Sequence, residues 1–348
     1  MTKFNPNGVG VSNGNIFGFP VSKEEAEILL FPIPWDVTTS YGKGTANGPS
    51  QILNASTQLD FYHPVYENAH EIKLFLDKES KKIRNWNNEL VRDSSRYVNF
   101  LESGGVVEDS PEFLELLDIV NSKQDWIKDF IFNKSQEVIN ANKIPGVIGG
   151  EHSVPLGLLE ALSTYYSDFG VLQIDAHADL RMAYEGFKQS HASIFYNALN
   201  IKQIKKLVQV GIRDVAQSEV DIINNSLGRI TTFFDWNLKE NSFNGQSWKE
   251  QVNEIISELP NNVYISFDID GLKPSLCPNT GTPVPGGFEL EEINYLLNQL
   301  AKSTKKIIGF DLCEVSNGEF GEWDANVGAR ALWSIVTNIS LNRKINNY

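Results

Sequence analysis

The chain of 348 residues carries 30 Lys and Arg against 44 Asp and Glu, a formal charge of −14 with neutral His; that field repels phosphate backbones and anionic lipid, excluding nucleic acid and membrane surfaces as main partners. Its 41% hydrophobic and 21% charged residues suit an ordinary folded domain, and no apolar run reaches the roughly 18 residues of a membrane-spanning helix. The start lacks the apolar core of a signal peptide, and Cys277 and Cys313 fit neither a disulfide framework nor metal-finger spacing, so a cytoplasmic protein is expected.

Residues 1–25 read as an irregular arm at a subunit contact, ahead of a single domain over 26–348. In that domain short β-rich runs alternate with longer amphipathic stretches, the pattern of parallel βαβ units. Strands are expected at 27–31, 71–76, 144–148, 170–174, 207–211, 230–234, 263–267 and 306–311. Several are apolar without alternation, as strands buried on both faces are. Helices are expected at 110–140, 153–166, 192–206, 248–259, 289–302 and 326–340. Ser153-Val-Pro reads as a capped start of the second, since Ser accepts an orphan N–H and Pro suits a first turn. The simplest architecture is one three-layer α/β/α domain.

Ligands bind such sheets outside the carboxyl ends of the strands, and four strands end in unusual residues. The third runs into Gly149-Gly150-Glu151-His152-Ser153 and the fourth into Asp175-Ala176-His177-Ala178-Asp179. The seventh ends in Ser266-Phe267-Asp268-Ile269-Asp270 and the eighth in Asp311-Leu312-Cys313-Glu314. Side chains at alternate positions of an extended segment share a side, so Asp175, His177 and Asp179 can converge, as can Asp268 and Asp270. Carboxylates so crowded repel unless a cation sits among them, and one or two divalent metals answer that need. A lone Asp-x-Asp is mostly a turn or cap, and a lone His at a strand end is mostly structural. The joint pattern weighs more, because three of five histidines, His152, His177 and His191, fall in or just after these segments. His63 and His70 lie in an aromatic, polar stretch and are expected to be solvated or packed.

Gly-Gly-Glu-His-Ser, Asp-Ala-His-Ala-Asp, Ser-Phe-Asp-Ile-Asp with the following Pro274 and Thr280-Gly-Thr-Pro, and the late Glu314 together resemble the ureohydrolase family of arginases, agmatinases and related guanidino hydrolases. The resemblance runs in order over residues 27–340. It implies an eight-stranded parallel α/β/α fold, a homotrimer or homohexamer, and two divalent metal ions, Mn(II) or Ni(II). By position, His152, Asp175, Asp179 and Asp268 would hold one ion and His177, Asp175, Asp268 and Asp270 the other, with Asp175 and Asp268 bridging. It further implies that a metal-bridging hydroxide attacks the guanidinium carbon and releases urea plus an amine or ammonia. Glu314 would accept the guanidinium N–H groups, Asp179 would pass the proton to the leaving nitrogen, and His191 would exchange protons with solvent. The alternative for His191 is a helix N-terminal histidine with no catalytic part.

Departures from the pattern are Glu151 where Asp is usual, Lys273 before Pro274 where an acid is usual, Cys277 for a small residue, and Ala192 after His191. An Asn-x-His grip on an amino-acid tail is missing, which weakens a strict arginase reading. Trp323, close in sequence to Glu314, would cover a guanidinium by cation-π attraction of roughly 0.5 to 2 kcal/mol; the equal alternative packs it at the start of the last helix. Such a lid, with Ile16-Phe-Gly and Thr38-Thr-Ser-Tyr-Gly-Lys-Gly-Thr45, resembles the branch that hydrolyses free guanidine. Thr45 and Tyr184 are weaker pocket candidates. The expected partner is a small cationic guanidino substrate: free guanidine first, then agmatine or another alkylguanidine. Formimidoylglutamate hydrolysis is an alternative supported by Leu180-Arg181. A one-metal zinc deacetylase is disfavoured by the full ligand set, and a non-catalytic ligand-binding homologue would be marked by lost ligands.

Overall fold

The computed structural model describes residues 4–318 and 321–348; positions 1–3 of the expected arm, and 319 and 320 of the segment before the last helix, lie outside the described residues. Eight parallel strands form one sheet: β1 (Ile28–Ile33), β2 (Leu74–Leu76), β3 (Ile144–Gly149), β4 (Phe169–Ile174), β5 (Ile204–Ile212), β6 (Ile230–Phe234), β7 (Asn262–Asp268) and β8 (Lys306–Cys313). Their order is β2-β1-β3-β8-β7-β4-β5-β6.

Alternate residues of β1 divide between two cores. Ile28 and Leu30 join one cluster, and Leu29, Phe31 and Ile33 join the other, which is why the strand reads as an unbroken apolar run. On the first face lie α1 (Gly48–Ser56), α7 (Asp235–Phe243), α8 (Trp248–Glu258), α9 (Leu290–Lys302) and α10 (Trp323–Asn346). On the second lie α2 (Lys81–Glu102), α3 (Pro111–Asn140), α4 (Leu156–Ser163), α5 (Ile194–Ala198) and α6 (Gln217–Asn224). The result is the expected three-layer α/β/α fold. Within the N-terminal segment, Ile16, Phe17 and Phe19 are buried, and the two rings pack against Trp333.

Three local expectations are corrected. The helix expected over 192–206 stops at Ala198, because Ile204 already begins β5, where it pairs with β4 at Phe169. The helix expected from Ser153 begins at Leu156, and the Ser153 hydroxyl donates to Glu151 instead of capping. The 22-residue α2 was not expected at all. Its buried stripe, Ile83, Asn87, Leu90, Ser94, Tyr97 and Val98, keeps helical spacing but mixes polar with apolar residues, which conceals the periodicity.

Candidate metal centre

The four central neighbours of the sheet, β3, β8, β7 and β4, carry the four unusual ends, so their carboxyl termini deliver His152, Glu314, Asp268 and Asp175 to one place. His152 is fully buried, and its Nδ1 lies 3.0 Å from Asp179 Oδ2, 3.1 Å from Asp175 Oδ2 and 3.3 Å from Asp268 Oδ2. Yet this nitrogen has no hydrogen-bond partner. On the other side of the ring Nε2 lies 2.9 Å from Ser266 Oγ, whose hydroxyl donates to Asp311 Oδ2 at 2.8 Å; the Tyr264 hydroxyl donates to the same oxygen at 2.7 Å. This anchoring assigns the proton to Nε2 and turns the Nδ1 lone pair toward the carboxylates, the arrangement of a metal-ligating histidine.

A second group shares Asp175. His177 Nδ1 is 3.0 Å from Asp270 Oδ2 and 3.7 Å from Asp175 Oδ1. The two sets, His152 with Asp175 and Asp179, and Asp175 with His177 and Asp270, each converge closely enough to hold an ion. Asp268 faces the first set through Oδ2, while its Oδ1 accepts the Asp270 N–H at 2.9 Å. Local backbone hydrogen bonds aim the rest: the His177 N–H donates to Asp175 Oδ1 at 2.7 Å and the Ala176 N–H to Asp270 Oδ1 at 3.0 Å.

The protonation energetics ask for cations. Burial, then the neighbouring Asp270, raises the Asp175 carboxyl above its ordinary value, and burial with Asp175 lifts Asp179 to about 7. Burial alone would depress both imidazoles, but the carboxylates around them win and raise His177 to about 10 and His152 well above the usual histidine range. Protons thus stand in for positive charge. An oxygen and imidazole donor set whose central nitrogen, His152 Nδ1, has no hydrogen-bond partner fits hard to borderline divalent ions such as Mn(II) or Ni(II), not thiolate-seeking metals.

Glu314 crosses above this set. Its Oε1 accepts the His152 backbone N–H at 2.9 Å, and its buried Oε2 has no partner. Burial, reinforced by Glu151, holds its carboxyl well above the usual range. Glu151 accepts the Thr38 N–H at 2.8 Å and the Thr38 hydroxyl at 2.6 Å, so the longer side chain found there ties the 36–46 loop to the strand ends. Thr38 Oγ1 in turn accepts the His191 N–H at 3.2 Å.

A cavity of about 130 Å³ opens beside the two groups, lined by His177, Asp179, Arg181, Tyr184, His191 and Ser40 among others. His191 is partly buried; its Nε2 lies 3.3 Å from Ser40 Oγ, and desolvation there with the Lys43 and His177 charges lowers it to about 3. Tyr184 lines this cavity, but Trp323 and Thr45 do not; the half-exposed indole of Trp323 donates to Ser275 O at 3.0 Å. Ser266 and Asp311 stand in the quoted strand-end motifs, and Ser40 and Lys43 in the 38–45 run, but sequence reasoning assigned none of the four a role in the site. Ser266 and Asp311 were detectable as polar residues inside strands buried on both faces; Ser40 and Lys43 carried no such signal. A wider groove of about 670 Å³ lies between residues 6–7 and 60–70, but among the described residues no metal-ligating set gathers there.

Residues 26–337 match the model of the arginase family. The chain is 29% identical to the N(1)-aminopropylagmatine ureohydrolase of Thermus thermophilus over 298 residues, 85% of each chain. It is 28% identical to the agmatinase of Bacillus subtilis, covering 84% of each. Its fold superposes on the agmatine ureohydrolase of Thermoplasma volcanium with a TM-score of 0.72 at 24% identity, over 95% of both chains.

Proposed function

The chain belongs to the arginase family, hydrolases of amidino C–N bonds that use guanidino substrates, and on that premise we propose that it cleaves a small guanidino compound to urea plus an amine or ammonia at two divalent ions, Mn(II) or Ni(II). The observation that carries the reading is the buried, unpartnered His152 Nδ1 facing three carboxylate oxygens, with a second imidazole across the shared Asp175. His152, Asp175, Asp179 and Asp268 would hold one ion and His177, Asp175, Asp268 and Asp270 the other. Such ions, when bound, acidify a water enough to make it a nucleophile at neutral pH.

The chain's own groups do the rest. Glu314 Oε2 accepts a guanidinium N–H while Oε1 stays on the His152 amide; the incoming cation offsets the cost of ionising a carboxylate that burial and Glu151 otherwise oppose. Asp179, at the cavity wall, takes the proton of the attacking water on a carboxylate oxygen and delivers it to the departing nitrogen. His191 works as a neutral imidazole, because burial and Lys43 disfavour its protonated form; a proton it accepts is passed on rather than stored.

Free guanidine is the first choice of substrate and agmatine or another alkylguanidine the second. The roughly 130 Å³ cavity lies far below the roughly 300–1,000 Å³ that drug-sized ligands occupy, which supports a small ion. The similarity to agmatine-type relatives supports the second choice. For formimidoylglutamate, Arg181 would have to meet an anionic tail, but it lies over Tyr184 and 3.5 Å from Glu219. Asp179, Asp214 and Glu219 on the same wall favour a cation. Trp323 enters this reading as the expected cover over the guanidinium; its indole is bonded to Ser275 O, in the segment that also brings Thr282 to the cavity. The assembly that accompanies it is a homotrimer or homohexamer.

The test is urea and ammonia release by the Mn(II)- or Ni(II)-loaded protein and its Trp323→Ala variant from guanidine, agmatine, arginine and formimidoylglutamate. Urea from guanidine is expected, with preference shifting toward agmatine in the variant. Faster turnover of agmatine by the wild type would move the substrate to the second choice, and an unshifted variant would return Trp323 to packing. Formamide from formimidoylglutamate would select that alternative. No product under either metal would leave a non-catalytic ligand-binding homologue.

A further inference from the structure

A row of polar residues crosses five adjacent strands at one level. Gln209 of β5 is in register with Thr232 of β6, Gln173 of β4 with Gln209, Gln173 with Ser266 of β7, and Ser266 with Asp311 of β8. Residues in register on neighbouring strands face the same side of the sheet. One end of the row, Ser266 and Asp311, anchors His152 as described above. The other end reaches a different residue of the same cluster.

The Thr232 hydroxyl donates to Gln209 Oε1 at 2.7 Å, Gln209 Nε2 donates to Gln173 Oε1 at 2.7 Å, and Gln173 Nε2 donates to Asp175 Oδ2 at 2.8 Å. The second proton of each amide is also used: Gln173 Nε2 donates to His177 O at 2.9 Å and Gln209 Nε2 to Ala178 O at 2.8 Å. Each amide nitrogen therefore faces acceptors only, which fixes its orientation. All three bonds run the same way, donors toward Asp175, so each polarises the next. The amides also pin two successive carbonyls of the segment that carries Asp175, His177 and Asp179.

Gln173 and Gln209 are completely buried, and their neighbours along the strands, Val171, Leu172 and Ile174 on β4 and Leu207, Val208 and Val210 on β5, are all apolar. A buried amide is costly unless every bond is made, and an apolar residue would serve the core at least as well. The chain of bonds ends on the carboxylate oxygen that faces His152 Nδ1. Being neutral, it directs that oxygen without adding a charge that would compete with a cation.

We propose that Gln173, Gln209 and Thr232 form a directional hydrogen-bond chain that positions Asp175 and thereby sets how tightly the pair of ions is held. They are positioning residues, since none reaches the cavity. The proposal rests on the two-ion reading above, and its test separates the two.

Full-length protein loaded with Mn(II) is challenged with graded chelator, and electron paramagnetic resonance reads both the released ion and the spin-coupled signal of the bound pair. Gln173→Met is expected to release ions about 10–100-fold more readily, the usual cost of losing a partner behind a metal ligand. Gln209→Met should act in the same direction by less, and the double variant should be no worse than Gln173→Met alone, because Gln209 acts through Gln173. A purely structural role would lower the melting temperature and leave retention unchanged. Wild-type retention in a folded Gln173→Met, or effects of the two substitutions that simply add, overturns the chain. If Gln173→Met does not fold, Gln209→Met decides alone, and unchanged retention there overturns it too. A wild type that shows no spin-coupled pair sinks the two-ion reading itself, and this inference with it.

Discussion

Glu314 and Asp179 both hold positive φ, 63° and 54°, a backbone region that costs a residue with a side chain about 1–3 kcal/mol. The surroundings impose it: the Glu314 N–H donates to Gly150 O and the Thr280 hydroxyl to Glu314 O, while the Asp179 carbonyl accepts the N–H groups of Phe195 and Tyr196. Each turn swings a carboxylate back over the strand ends instead of onward along the chain. His191 offers a test at this scale. Burial first, then Lys43 and His177, depresses it from 6.5 to about 3. Between those values the unfolded chain binds more protons than the folded one. Its contribution is therefore intact above pH 6.5 and lost as pH falls toward 3, at up to about 1.4 kcal/mol per pH unit. His191→Gln should flatten the fall of unfolding free energy with acid across that interval; denaturant titrations giving parallel curves would contradict it. The convergence of Asp175 and His177 is legible in the sequence through their alternate spacing. The turns at Asp179 and Glu314 are not, because the groups that enforce them lie elsewhere in the chain.

Helix α2 shows how an element far from the strand ends shapes the cavity. Asn87 accepts the Asp36 N–H at 2.7 Å and donates to Asp36 Oδ1 at 3.0 Å, and Asp36 Oδ2 accepts the N–H groups of Gly44 and Ala46. Ser94 donates to Val37 O and Tyr97 to Glu185 O. Lys43 folds back inside the loop and donates to the carbonyls of Asp36, Val37 and Thr39. The helix thus clamps the 36–46 loop, which carries Ser40 to His191, and the 183–186 turn, which carries Tyr184. Asn87→Ala leaves Asp36 buried without this partner and should cost about 1–3 kcal/mol of stability, with a lower kcat/KM as Ser40 loosens. Thermal unfolding and steady-state rates check this; a variant as stable and active as wild type would mean the loop is held by other contacts. The same residues explain why α2 was illegible: Asn87 and Ser94 occupy its inward stripe to serve the loop. Strands β3, β4, β7 and β8 read close to their observed bounds because most of their residues are apolar and buried, with single polar residues such as Gln173, Ser266 and Asp311 interrupting the run.

For the whole molecule, the decisive fact is the strand order. The ends of β3, β4, β7 and β8 are far apart in sequence, yet these are the four central neighbours of the sheet, and no local pattern in the sequence specifies that adjacency. Within the formal charge of −14, Asp175, Asp179, Asp268 and Asp270 concentrate buried acidity at one point. Ions bound there stabilise the folded state by mass action, by about 4 kcal/mol each when free ion exceeds Kd a thousandfold. Chelator should therefore lower the melting temperature of the loaded wild type by several degrees and barely move that of Asp268→Ala, which differential scanning calorimetry can check. The most direct measurement is anomalous scattering from crystals of the Mn(II)-loaded protein. Two peaks are predicted, one against His152 Nδ1 and Asp179 and the other against His177 Nδ1 and Asp270, with Asp175 and Asp268 touching both. A single peak, or a metal bound away from these six side chains, would contradict the account.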